Sequence, residues 1–453
     1  MSSSPPTPPV AARRARDVLV ELYWAGVDAV TPGPAVRSAL ARIPAAERAP
    51  RVWLIAIGKA AHPMAAAAVD TLAGWGAEPA GGVIIAPRAL AAPHPALTVV
   101  AGEHPVPGDG SFTAARMIGT IAARVHERDE AWVLLSGGAT SLIAAPAEPV
   151  APGELVALFE LLLGSGLAIA EMNVIRKRFS RWGAGRLAVA LAPARVRNYI
   201  ISDVIGDDEG AIGSGPCVPD PTTAADVRAL LERSALWERV PPTLRHQIVA
   251  AERDARLETP KPDAEAFRRV ERRIIASNRV ALEAIAEHAR ALGYEPHILD
   301  TSLAGEASVA GARLAATLAT YCGARASALP GQVGGPCLIW GGETTVTLDA
   351  GGGGSGGRCQ ELALAAAREL ATLPGAGSAT LLAAGTDGRD GATDAAGAIV
   401  DRSTWNEIAR MGRDPTHDLR RHDSNPSLAS AGALLRTDLT GTNVMDVILG
   451  VCD

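Results

Sequence analysis

Residues 52–60 read Val-Trp-Leu-Ile-Ala-Ile-Gly-Lys-Ala, six apolar residues of β type closed at once by Gly58 and Lys59. A strand that never alternates with polar residues is buried on both faces, as in a parallel sheet covered by helices. Similar short runs return at 82–85, 132–135 and 199–201. Between them lie longer stretches, such as 16–30 and 154–163, with apolar residues at i, i+3 and i+4. Repeated alternation of this kind predicts an α/β fold with mainly parallel sheets.

Farther along, a second series of elements follows the Pro-bracketed segment Glu258-Thr-Pro-Lys-Pro262, which reads as a linker. Strands are expected at 273–276, 295–299, 337–340, 344–348 and 381–384, with a helix running through Leu292. The expected organisation is a disordered tail over 1–15, a Rossmann-like α/β domain over 16–257 and a second α/β domain over 258–453. Two domains suit a length of 453 residues.

Charge and composition narrow the function. Lys and Arg number 43 against 49 Asp and Glu, a net charge of −6, so the chain as a whole does not attract nucleic acid. Aromatics at 4% are too few for a base-stacking surface. No run of 18 apolar residues occurs, which argues against a membrane span. The Ser/Pro-rich start, followed by Arg13, Arg14 and Arg16, lacks the apolar centre of a signal peptide. Five cysteines, at 217, 322, 337, 359 and 452, form no CxxC pair. Neither a disulfide framework nor a zinc site is expected, and a reducing cytoplasm fits.

In open parallel sheets ligands sit beyond the carboxyl ends of strands, so the polar clusters at strand ends are the candidates. Gly58-Lys59-Ala60 offers a compact cation for a phosphoryl oxygen, or a solvated lysine at a helix start. Ser136-Gly137-Gly138-Ala139-Thr140-Ser141 reads equally as an anion nest or a tight turn. Asp203, Asp207 and Asp208 within 202–208 suit Mg²⁺ binding or a base facing a hydroxyl; turn capping is the plainer alternative. The glycine run 351–357 ends at Arg358 and opens a helix. Gly352, Gly354 and Gly357 can be read as GxGxxG, but the acid expected about 20 residues on is missing, and a flexible loop is the competing reading. Asp387, Asp390 and Asp394 in 385–394 suggest a metal or hydroxyl site, or turns. Thr440-Gly-Thr-Asn443 is a weaker cluster, and His62, His94 and His104 lack metal spacing and read as surface or core histidines. Together these supply a lysine, an arginine, carboxylates and glycine loops, the inventory of phosphoryl transfer.

In this order the motifs resemble the glycerate kinases that carry a MOFRL domain. The most specific are Glu171-Met-Asn-Val-Ile-Arg-Lys177, Ser202-Asp-Val-Ile-Gly-Asp-Asp208, Gly213-Ser-Gly-Pro216 and Gly341-Gly-Glu-Thr-Thr-Val-Thr347. Gly385-Thr-Asp-Gly388, Asp394-Ala-Ala-Gly397 and Thr440-Gly-Thr-Asn-Val444 complete the set. The resemblance runs from about Arg16 to the end, with the MOFRL region at about 335–450. It implies transfer of the γ-phosphoryl of ATP to D-glycerate, giving 2-phosphoglycerate with Mg²⁺, in a cleft between two α/β domains. Lys59, Asp203 and Arg358 would be catalytic. Gly58, Ser136, Gly137, Gly138, Asp207, Glu343, Gly356, Gly357, Thr386, Asp387, Thr440 and Asn443 would bind substrate or phosphate. Asp203, Asp207 and Asp387 would serve the metal.

The chain departs from the family pattern at four places: Cys359 and Met445 replace amides, His422 begins a segment that usually starts with Asn, and Asp438-Leu439 stands for Gly-Pro. These bear on acceptor identity more than on reaction class. An NAD(P)H-dependent hydroxypyruvate reductase is the runner-up, and the missing ribose-binding acid counts against it. A non-catalytic sensor of a small anionic metabolite is a third reading. A homo-oligomer is compatible with all three.

Overall fold

The computed structural model describes residues 15–326, 335–348 and 352–452. The expected tail, apart from Ala15, and Gly351 of the glycine run lie outside the described residues. The chain divides into two compact units: Thr31–Ser277, and Met1–Val30 together with Asn278–Asp453.

The first-sheet unit, Thr31–Ser277, is built on β1 (Val52–Ile57), β2 (Pro79–Ala86), β3 (Leu97–Ala101), β4 (Glu130–Leu135), β5 (Arg195–Ile201) and β6 (Val270–Ala276). All five pairings are parallel, in the order β3-β2-β1-β4-β5-β6. This is the doubly wound order, whose direction reverses between β1 and β4. Their register sets Ile57 beside Leu135, so the loops that follow both strands leave from one place. β1 and β4 are buried along their whole length, as the unbroken apolar runs require. The buried indoles Trp53 and Trp132 still satisfy their N–H groups, on Asp129 at 3.0 Å and Glu130 at 2.6 Å. Helices Pro152–Leu163, Ile169–Phe179, Ala224–Arg233 and Pro242–Arg253 close a separate apolar cluster around Leu158, Phe159, Phe179 and Leu231.

The second-sheet unit carries β7 (Glu295–Leu303), β8 (Pro336–Gly342), β9 (Ala379–Gly385), β10 (Gly397–Asp401), β11 (Leu434–Leu435) and β12 (Asp446–Cys452). The order is β11-β10-β9-β12-β8-β7, and among the described strands only β7 and β8 pair in parallel. The α/β class holds, but this sheet is mixed rather than mainly parallel. Its strands are apolar on both faces because helices cover both: Leu338, Leu381 and Ile448 face one cluster, Ile339, Leu382 and Leu449 the other. Continuous apolar runs report two-sided burial, and two-sided burial does not fix strand direction.

Further expectations change. The 273–276 strand is the end of β6 and pairs with β5, so the division falls after Ser277 rather than near 258. The 258–262 segment is pinned within the first-sheet unit, with Glu258 on Arg178 and Lys261 Nζ donating to Thr222 O at 2.6 Å. The helix Ala15–Ala29 belongs with the second sheet; it packs on the helix Asn278–Ala291, where a methyl added at Gly26 would lie 2.7 Å from Ile285 Cδ1. Residues 344–348 form no strand beyond a bridge from Thr345 to Glu306, because Gly342, at φ +145°, turns the chain out of β8. Cys322 and Cys452 form a disulfide, against the expectation of none; 130 residues separate them, too far for spacing to suggest a pair. No described helix is long and apolar enough to cross a membrane.

Candidate active site

In the first-sheet unit the loops after β1 and β4 are locked together. Gly58 stands at φ +123°, and a Cβ there would lie 2.5 Å from the Ser136 carbonyl oxygen, so only glycine fits. Lys59 N–H donates to Gly137 O at 3.0 Å, and Ala60 N–H donates to Ser136 Oγ at 3.0 Å. Ser136 is therefore a strut between loops, its hydroxyl already engaged.

Three side chains gather over the Gly137–Gly138 turn. A Cβ on Gly137 would lie 2.6 Å from Asp203 Cγ; one on Gly138 would lie 3.3 Å from His104 Cδ2 and 3.6 Å from Lys59 Cε. Burial pushes the Asp203 carboxyl up, and the Lys59 charge offsets part of that rise. Burial, followed by Lys59 and Arg176, pushes the His104 imidazole down. The sequence suggests a surface or core histidine at 104, because no spacing rule brings it beside a lysine 45 residues earlier. Thr140 Oγ1 meets Ser214 Oγ at 3.1 Å. Asp207 is half-buried in the left-handed region at φ +56°, and Asp208 caps its own turn through Gly210 N–H at 2.9 Å. No G-x-G-x-x-G run follows β1, so the turn lacks the fingerprint for a dinucleotide pyrophosphate.

The second-sheet unit arranges its motif residues differently from expectation. The Arg358 fork holds Asp446 through Nε at 2.6 Å and Nη2 at 2.9 Å, and its Nη1 lies 2.7 Å from Glu343. Burial alone would lower the guanidinium pKa; the Asp446 pairing outweighs it and raises it. Glu343 is thus a partner of the arginine, and a carboxylate is a poor phosphate ligand.

The glycine run and helix N-terminus are also engaged. Asp390 accepts from Cys359 N–H at 3.1 Å, Gln360 N–H at 2.8 Å and Gln360 Nε2 at 2.9 Å. A protein carboxylate thus occupies the place where an anion would dock on the helix Arg358–Thr372. A Cβ on Gly357 would strike Asp390, and one on Gly356 would strike Ser424. Gly354 N–H donates to Arg421 O at 2.7 Å and Ser355 N–H to Asp423 Oδ1 at 2.8 Å. These glycines admit the chain's own segment 421–425.

Thr386 Oγ1 donates to Met445 O at 2.6 Å and accepts from Val444 N–H at 2.9 Å, while Thr440 Oγ1 donates to Thr386 O at 2.7 Å. Asn443 Oδ1 accepts from Met445 N–H at 3.0 Å, and Asp387 Oδ1 from Arg389 N–H at 3.0 Å. Together they knit the end of β9 to the approach of β12. Tyr23, from the first helix, donates to Gly385 O at 2.9 Å; its hydroxyl pKa is raised, chiefly by burial and to a smaller extent by the nearby charges of Asp387 and Asp446. Among the departures, Cys359 is buried against Asp446, His422 Nδ1 lies 3.1 Å from Glu361, and Met445 takes φ +70°.

Among the described residues no three His, Cys, Asp or Glu side chains gather into a metal-holding group, so Asp203, Asp207 and Asp387 form no protein cage by themselves. A cavity of about 600 Å³ lies elsewhere in the first-sheet unit, lined by residues that include Arg178, Arg186, His246 and Glu258. None of the expected site residues lines it. Arg178 is held by Glu258, and Arg186 by the carbonyls of Lys177, Arg178 and Ser180. Size does not make it the reaction site.

Comparison with known proteins identifies the family. Residues 18–249 match the model of a domain of unknown function, DUF4147, and 336–446 match the MOFRL family. A glycerate 2-kinase of Pyrococcus horikoshii is 37% identical over 401 residues, covering 88% of this chain and 87% of that protein. A crystal structure of glycerate kinase from Thermotoga maritima is 35% identical with a TM-score of 0.85, covering 97% and 99% of the two chains. A chain from Agrobacterium vitis, 37% identical over 434 residues and covering 96% of this chain and 93% of its own, carries a provisional hydroxypyruvate reductase name. On its sequence and on its fold, the chain belongs to the glycerate kinase family with a MOFRL domain.

Proposed function

We propose that the chain transfers the γ-phosphoryl group of ATP to the 2-hydroxyl of D-glycerate, giving 2-phosphoglycerate and ADP. The observation that carries this reading is the grouping of Lys59, His104 and half-buried Asp203 over Gly137–Gly138, at the carboxyl ends of β1 and β4. The acceptor oxygen forms a bond to phosphorus while the bond from phosphorus to the β–γ bridging oxygen breaks. The hydroxyl proton must leave as this happens. A carboxylate whose pKa is raised by burial is a stronger base than an exposed one, so Asp203 suits that proton. Lys59 is a point charge for phosphoryl oxygens, worth most in the transition state.

Mg²⁺ is usually held by one or two carboxylates together with the phosphates of its nucleotide. Asp203 and Asp207 of the first-sheet unit are proposed partners for an ion that arrives with ATP and, independently of them, so is Asp387 of the second-sheet unit. Bound there, the ion would neutralise β and γ oxygens. Arg358 remains a proposed substrate-side cation: its side chain is 34% exposed, and each terminal nitrogen has a second N–H beyond the pairs described. An ATP-consuming reaction of this kind needs neither nucleic acid nor membrane, and the Cys322–Cys452 disulfide counts against the reducing cytoplasm that the cysteine spacing suggests.

Lys59 is exposed, so its loss should leave the fold intact. Lys59→Ala is expected to lower transfer of labelled γ-phosphoryl to D-glycerate by about 10²–10³-fold with unchanged thermal unfolding. Near-normal transfer would overturn the assignment.

A further inference from the structure

The helix Ile169–Phe179 ends in three consecutive cations, Arg176, Lys177 and Arg178, all buried. Two of them have carboxylate partners. Lys177 Nζ lies 2.7 Å from Asp220, and Arg178 pairs with Glu258 while donating to Leu257 O at 3.3 Å. Arg176 differs. It is 7% exposed, its Nε and Nη2 have no hydrogen-bond partner among the described residues, and its guanidinium lies 4.7 Å over the Phe159 ring. Burial alone pushes its pKa down.

A buried guanidinium with unmade hydrogen bonds is costly, and natural interiors keep such groups paired. The helix that carries Arg176 packs on the turn Ile212–Ser214, whose Ser214 Oγ meets Thr140 Oγ1 at 3.1 Å in the loop after β4, and the Arg176 charge acts on His104, which stands with Lys59 over the Gly137–Gly138 turn. Its planar donor fork matches two oxygens of a carboxylate or phosphoryl group. We propose that Arg176 is an anion-binding residue of the acceptor site, receiving carboxylate or phosphoryl oxygens beside Lys59 and His104. This rests on phosphoryl transfer at that turn. Bound substrate, rather than the protein, then completes the missing hydrogen bonds.

The test uses the full chain with Arg176→Met and Arg176→Lys, and reads binding before turnover. Calorimetric titration with D-glycerate and, separately, inorganic phosphate distinguishes the two oxyanion sources. Removing an unpaired buried charge should raise the Tm of the free Arg176→Met variant by about 2 °C or more. Its affinity for one or both anions should fall at least about 30-fold, as loss of a charge-assisted contact implies, with Arg176→Lys recovering part of it. A carboxylate role raises KM for D-glycerate; a phosphoryl role lowers kcat with KM kept. The proposal is overturned if Arg176→Met melts lower while binding both anions as the parent does, the signature of a structural cation. It is also overturned if the parent binds neither anion at millimolar concentration. A parent that binds an anion through Arg176 yet transfers nothing from ATP would sink the kinase reading and leave this site standing.

Discussion

The Asp203 carboxylate rests directly on the backbone of Gly137, with no room for a Cβ between them. The turn after β4 thereby fixes the proposed base relative to Lys59. Gly137→Ala should push the carboxylate aside by about an ångström, a displacement that costs roughly 10²-fold in kcat/KM. Thermal unfolding should change far less than turnover. Unchanged kinetics would show that Asp203 is not held where the reaction needs it.

Arg358→Ala should act on the fold as well as on activity. Its partner Asp446 has a side chain 3% exposed, and stripping one member from a buried pair costs about 3–5 kcal/mol. The expected result is a large fall in Tm. The double variant Arg358→Met with Asp446→Leu should recover most of that stability and remain inactive. If the single variant melts like the parent, the pair contributes little.

Asp390 gives a pH signature. Burial outweighs the N–H donors from Cys359 and Gln360 and moves its carboxyl from 3.8 to about 6. The folded state then binds the proton more tightly than the unfolded one. This contribution is fully present below the unfolded value and is lost as pH rises to the folded one. Relative to Asp390→Asn, whose amide does not titrate, the parent should lose about 3 kcal/mol of stability between pH about 4 and about 6. Denaturant unfolding of both chains across that window measures it, and a flat difference would refute it.

The Cys322–Cys452 disulfide closes a span of 130 residues. The unreduced, denatured chain should titrate three thiols, from Cys217, Cys337 and Cys359, rather than five. Reduction should lower stability by up to about 5 kcal/mol on the chain-entropy account. Five reactive thiols would exclude the bond.

The sequence shows what is local. Val52–Ile57 and 132–135 announce buried strands, and the polar clusters after them mark the β1 and β4 loops, because apolar runs and glycine turns are written over a few residues. Pairings over longer spans are not. Nothing near Arg358 points to Asp446, 88 positions on, and nothing near Gly357 says that Asp390 will cap the helix that follows. Arg176 sits in a motif the sequence brings forward, but its neighbours Lys177 and Arg178 disguise it as one of a basic triplet. Only their partners, Asp220 and Glu258, show that it lacks one. The antiparallel strand β9 misleads for another reason: helices on both faces give its 381–384 run the apolar pattern of a parallel strand.

The central claim is tested most directly by phosphorus NMR of the product after the full chain is incubated with D-glycerate, ATP and Mg²⁺. Phosphoryl transfer to the 2-hydroxyl should give 2-phosphoglycerate and ADP in equal amounts. Unreacted ATP alone, from folded protein that instead oxidises NADH when given hydroxypyruvate, would contradict it.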